Sequence, residues 1–125
     1  MPQFFISAAA VLAGLAVGLG AFASHGLKTR LDNHALDIFE TGARYQMYHA
    51  LALLCVGILI SRATIPSNLL DITGCAFILG IFIFSGSLYV LSLTGIKILG
   101  AITPIGGAAF LIGWGCLAIA GWSYK

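Results

Sequence analysis

Long apolar stretches interrupted by short polar ones dominate the pattern of this chain. Four of them suit a helix crossing a hydrocarbon core of about 30 Å, for which about 20 mostly apolar residues are needed. They are residues 4–23, 45–61, 69–93 and 98–122. The first carries no charge, and the third only Asp71, close enough to its entry to reach water. The fourth closes on Trp122 and Tyr124, the amphipathic aromatics favoured at a membrane interface. The second is shorter but is preceded by residues 31–44, where Leu31, Ala35, Ile38 and Phe39 recur at helical spacing and Asp32, Asp37 and Glu40 fall mostly elsewhere. That stretch predicts an amphipathic helix lying on the membrane and bending at Gly42 into the second span. The chain is therefore expected to be an all-α membrane protein with a single transmembrane domain over residues 1–125. It should form a compact four-transmembrane-helix bundle, with a short interfacial amphipathic helix between spans 1 and 2. Short loops make successive spans antiparallel neighbours.

Composition sharpens the class. Of 125 residues, 60% are hydrophobic and 8% charged, against about 45–50% and about 25% in soluble domains. So few charges cannot cover the surface of a soluble protein this long. A formal net charge of +2, without any basic run, gives no ground for a nucleic-acid partner. Ala21-Phe22-Ala23 resembles a signal-peptide cleavage site, but no Lys or Arg precedes the apolar run, so the first segment is expected to be a membrane helix. Lys28, Arg30, Arg44 and Lys97 lie on one side of the membrane, and Arg62 and Lys125 on the other. The positive-inside rule then puts both termini outside the cytoplasm. Cys55, Cys75 and Cys116 sit singly inside apolar segments, without a CxxC pair, and read as small packing residues.

Inside lipid, helices associate through close fit and polar contacts. Span 1 places Ala10, Gly14 and Gly18 at four-residue spacing, and Ala16, Gly20 and Ser24 on a second stripe. Spans 3 and 4 contribute Ala76-x-x-x-Gly80 and Ala109-x-x-x-Gly113. These stripes predict close helix approaches, either within the chain or across a homo-oligomer interface. Pro104 predicts a kinked or irregular entrance to span 4.

The polar residues gather in one block, Glu40 to His49. On a helix, Glu40, Arg44 and Tyr48 share one stripe, Tyr45 and His49 a second, and Gln46 lies beside them. Glu40 before Arg44 is the favoured order for an i,i+4 ion pair. His25 closes span 1 and His49 opens span 2, so both are expected at the same end of the bundle, with His34 between them. Three readings stand. The cluster pins the interfacial helix; or Glu40, Arg44, Tyr45, Gln46, Tyr48, His49 and His25 line a site for a lipid headgroup, a quinone or a small anion, with Arg44 as the fork; or His25 and His49 ligate a metal or haem, although no close HxxxH or ExxH pair supports this. No GxSxG elbow, HExxH pair or phosphate loop is present, so neither catalytic residues nor a cofactor are assigned. Ser85-Gly86-Ser87 with Tyr89 predicts hydrogen bonds between helices.

Several of these residues carry a family resemblance. Gly20-Ala21-Phe22, His25-Gly26-Leu27, the block from Glu40 to Ala50, Gly86-Ser87-Leu88-Tyr89, Thr94-Gly95, Ile102 to Gly107 and Gly113-Trp114 together resemble the YgdD/transmembrane protein 256 family, also called domain of unknown function 423. Ala23-Ser24 departs from the glycine-alanine pair expected before the histidine. The resemblance covers nearly the whole chain. It implies a small multi-pass protein of the bacterial inner (plasma) membrane or of a eukaryotic organelle, without an established activity or agreed catalytic residues. The expected function is a non-enzymatic lipid- or partner-binding protein affecting membrane or envelope integrity. On that reading, Arg44→Ala or His49→Ala spares insertion and removes binding. A small transporter or channel, and a quinone- or haem-binding redox accessory protein, are the alternatives.

Overall fold

The computed structural model describes all residues, 1–125, as helices joined by short turns. Helix α1 spans Pro2–Phe22, starting on a proline whose missing N–H is not needed in a first turn. A π-helical turn, Ala23–Leu27, continues it. Helix α2, Asn33–Arg62, is started by Asp32, whose carboxylate accepts from the Ala35 N–H at 2.7 Å. Helix α3, Asn68–Gly80, has Asp71 in its first turn, where the helix dipole favours negative charge. A second π-helical turn, Ile81–Ser85, leads directly into helix α4, Gly86–Thr94. Gly95, at φ +72°, stops α4 in the left-handed region and returns its N–H to the Leu91 carbonyl. Helix α5 runs Leu99–Trp122. Counting the π turns with their neighbours, four helices are long and apolar enough to cross a membrane: Pro2–Leu27, Asn33–Arg62, Asn68–Thr94 and Leu99–Trp122.

Helix α2 and the α3–α4 rod form the middle of the bundle, with 44% and 39% of their most apolar windows buried; α1 and α5 flank them at 17% each. Helix α1 packs on α2, and α5 on α3. The core lies between them, built from Phe5, Ala9, Leu12, Leu53, Val56, Phe77, Ile81 and Phe110.

Two boundaries differ from the sequence expectation. Residues 31–44 do not form a separate helix: from Asn33 onward they are the first turns of α2, which passes Gly42 without a break. Gly42 serves close packing instead of a bend, since a Cβ there would lie 2.8 Å from the Tyr89 ring and 3.3 Å from the Ser85 carbonyl oxygen. His49 consequently sits 16 residues into a 30-residue helix, near its middle rather than at the mouth of a span. Pro104 falls in the second turn of α5, where it removes one amide donor and leaves the helix running to Trp122.

The small-residue stripes divide. Gly80 and Gly113 meet the rings of Phe110 and Phe77, which is packing within the chain. Gly14 and Gly18 face outward, with nothing within 4 Å of a Cβ built on either.

Candidate functional site

The inward face of α2 is defined by Phe39, Gly42, Gln46, His49, Leu53 and Val56, at the three- and four-residue steps that keep one side of a helix buried. Two polar residues therefore enter the core, and both are hydrogen-bonded to neighbouring spans. Gln46 donates through Nε2 to the Leu12 carbonyl on α1 at 2.8 Å and accepts at Oε1 from the Tyr89 hydroxyl on α4 at 2.7 Å. One side chain thus ties three spans together. Close by, the Ser85 hydroxyl donates to the Gly42 carbonyl at 2.7 Å, and the Ser87 and Thr103 hydroxyls share a hydrogen bond at 2.6 Å. The serine cluster bonds between helices, as its composition suggests. The π turn fits this placement: its extra residue per turn shifts register, with Ser85 set against α2 and Phe84 against α5.

His49 is held on both sides. Its Nδ1 lies 2.8 Å from the Tyr45 carbonyl, and the Trp114 indole N–H donates to its Nε2 at 3.0 Å. A carbonyl only accepts and an indole only donates, so these partners require the neutral imidazole with its hydrogen on Nδ1. The ring also stacks on Phe110, with centroids 3.5 Å apart and planes within 8°, and meets Phe77 edge-on at 5.4 Å. Metal or haem ligation by His49 would require breaking one of its two hydrogen bonds. No group of three His, Cys, Asp or Glu side chains comes together.

Beside His49 the bundle opens. Tyr45, His49, Phe84, Pro104, Gly107, Ala108, Phe110, Leu111 and Trp114 line a cleft of about 490 Å³, a volume in the range of small-molecule sites. Leu111, Ala108 and Pro104 are exposed along its outer edge at span depth, so the opening faces hydrocarbon. Tyr45 stands at the rim, its ring 4.7 Å from Phe84 and 5.6 Å from Tyr48.

The block from Glu40 to His49 thus does not form one site. Gln46 and His49 point inward, Tyr45 edges the cleft, and Tyr48 is exposed on the outer surface. Glu40 and Arg44 lie on the flank next to α1. The expected Glu40–Arg44 ion pair is replaced by a bond from Arg44 Nη2 to the Thr41 hydroxyl at 3.3 Å. His25 sits exposed in the first π turn, on a different element from His49. Phe84 and Phe110 did not stand out in the sequence, because each lies in a uniformly apolar segment, and Trp114 stood out only in the Gly113-Trp114 pair that carries the family resemblance. Trp114, placed mid-span with an N–H that must find a partner, was the one available signal.

Residues 19–107 match the family described as "Protein of unknown function (DUF423)". The chain belongs to this family. The matched stretch holds the whole polar block of α2 and ends on Gly107 in the cleft. A UPF0382 membrane protein of Staphylococcus aureus is 48% identical over 118 residues, covering 94% of each chain. The UPF0382 membrane protein YwdK of Bacillus subtilis is 46% identical over 124 residues, covering 98% of each. Neither name assigns the family an enzymatic activity. No solved structure matches the chain.

The Gln46 junction has a measurable consequence. Gln46→Leu leaves the Tyr89 hydroxyl without its acceptor and is expected to cost about 1–2 kcal/mol of unfolding free energy. Adding Tyr89→Phe removes the stranded hydroxyl, so the double variant should be no less stable than Gln46→Leu alone. Additive losses in the double-mutant cycle would show that the two side chains do not interact.

Proposed function

We propose that the protein is a non-enzymatic lipid-binding protein, which holds the apolar part of a bilayer amphiphile in the cleft beside His49 and so acts on the organisation of the membrane around it. One observation carries this reading. The cleft opens sideways towards hydrocarbon, its lining is largely aromatic and aliphatic, and the imidazole on its wall has both nitrogens bonded to protein. A polar substrate would find little to pair with there, whereas an acyl or isoprenoid chain would find continuous van der Waals surface. A general base or nucleophile would need a free donor or acceptor atom, and His49 offers none. A transport path would have to cross the half of the core built from Phe5, Leu53, Val56, Leu70 and Phe77, which is apolar. The named relatives are membrane proteins of bacteria, and the plasma membrane is the location proposed here.

Gly107 provides the test. A Cβ there would meet only the Phe84 ring, at an ordinary 3.9 Å, so Gly107→Leu fills the cleft without forcing the helices apart. Native mass spectrometry of protein released from nanodiscs should show one retained lipid fewer on Gly107→Leu than on the wild-type chain. Equal retention by a folded Gly107→Leu would remove the cleft from the account.

A further inference from the structure

On the opposite flank of α2, a second recess runs along its contact with α1. Ala16 and Gly20 of α1 and Ser24 of the first π turn form its floor, about one residue per turn, and Glu40, Ala43, Arg44 and Met47 form its wall, around an open volume of about 300 Å³. The three small floor residues keep it open: a Cβ at Gly20 would meet nothing within 4 Å. Its polarity is graded with depth. Ser24 lies three residues from the end of the first span at Leu27, and Ala16 lies two turns further in, about 12 Å deeper. Glu40, Arg44 and Ser24 therefore occupy the end near the membrane surface, and Ala16 and Met47 the hydrocarbon end. The two charges are not spent on each other. Arg44 reaches back to Thr41 at 3.3 Å, towards the surface end of α2, while the Glu40 carboxylate and the Ser24 hydroxyl have no hydrogen bond to the protein.

We propose that this trough is a headgroup site for a zwitterionic phospholipid, one carrying both a phosphate and a primary ammonium group. Arg44 offers a planar fork of donors to the phosphate, and Ser24 a further hydroxyl donor. Glu40, one helical turn closer to the surface, accepts from the ammonium. The first methylenes of an acyl chain then run over Ala16 and Met47. Charge complementarity selects this occupant over the alternatives. A purely anionic headgroup leaves Glu40 facing like charge, and a quaternary choline brings no N–H to donate. The inference deepens the lipid-binding reading and rests on it only for the premise that the ligand is bilayer lipid; the recess and its residues are separate from the cleft.

The experiment is lipid competition read by native mass spectrometry, using phosphatidylethanolamine, phosphatidylglycerol and phosphatidylcholine of matched chains in equal amounts. Wild type should retain phosphatidylethanolamine over phosphatidylglycerol by up to about fivefold, the worth of one exposed ion pair, and over phosphatidylcholine as well. Glu40→Gln should erase the preference over phosphatidylglycerol, and Arg44→Gln should lower retention of all three. Gly20→Leu fills the floor and should erase headgroup selectivity while melting no lower than wild type. Gly107→Leu should leave the selectivity intact, since it blocks only the cleft. Equal retention of the three lipids by wild type, or a preference that survives both Glu40→Gln and Gly20→Leu, overturns the headgroup site. Retention lost in Gly107→Leu without any headgroup selectivity overturns the trough and leaves the cleft standing. Selectivity that persists while Gly107→Leu keeps its full lipid does the reverse.

Discussion

Gly106→Val is expected to be the most damaging single substitution at the junction of α5 with the second π turn. A Cβ at Gly106 would fall on the backbone nitrogen and Cα of Phe84, well inside van der Waals contact. A flexible side chain can turn away from such a clash, but backbone inside a packed helix cannot. The usual 1–3 kcal/mol for an overpacked core is therefore a lower bound, and a loss of about 3 kcal/mol or more is expected. Gly107 is the internal control. It is the next residue on the same helix, and valine there should change stability little, because its nearest neighbour is 3.9 Å away. Denaturant titration in detergent compares the two. Equal stability of Gly106→Val and Gly107→Val would mean that α5 does not pack against the π turn in this register.

The second large effect is expected at His49. His49→Ala removes a ring stacked on Phe110 at 3.5 Å, opens a cavity among Phe77, Phe110 and Trp114, and strands the Trp114 N–H. Truncation of a buried aromatic residue costs about 3–5 kcal/mol, and the orphaned donor adds to it. The sequence suggested that His49→Ala would spare the fold and remove only binding. In the structure His49 is a strut in the core, so lost binding in that variant reports lost packing as well. Trp114 provides the readout. In a Trp122→Phe background it is the sole tryptophan, and its emission should shift when its hydrogen bond is lost. His49→Gln retains a side-chain acceptor and should recover part of the stability. Wild-type melting by His49→Ala would contradict the strut.

The spans were legible because crossing lipid demands a length of apolar sequence that nothing else in a short chain explains. Helical spacing also paired the right residues: Tyr45 and His49 share one stripe with their rings 6.2 Å apart, and Glu40 and Arg44 share another. What spacing did not give was the destination of each stripe. In a soluble helix the apolar face points inward, but in α2 lipid-facing and core-facing positions are both apolar, so Leu51 and Leu53 look alike while one is exposed and the other buried. Inside and outside are decided here by where glycines let a neighbour approach, as Tyr89 does at Gly42. Adjacent stripes on one helix consequently entered different recesses, and a cluster that is compact in sequence is divided between the two. The π turn at Ile81–Ser85 was also invisible, since its residues are as apolar as the helices on either side.

The cleft can be tested in an intact bilayer by quenching Trp114 fluorescence with phospholipids brominated on the acyl chain, in the Trp122→Phe background. A bound chain beside Trp114 predicts saturable quenching at low brominated mole fraction, converted by Gly107→Leu into the shallow dependence of a tryptophan that meets lipid at random. Quenching that follows bulk mole fraction in the parent protein, and is unchanged by Gly107→Leu, would contradict the proposal that this protein holds a lipid there.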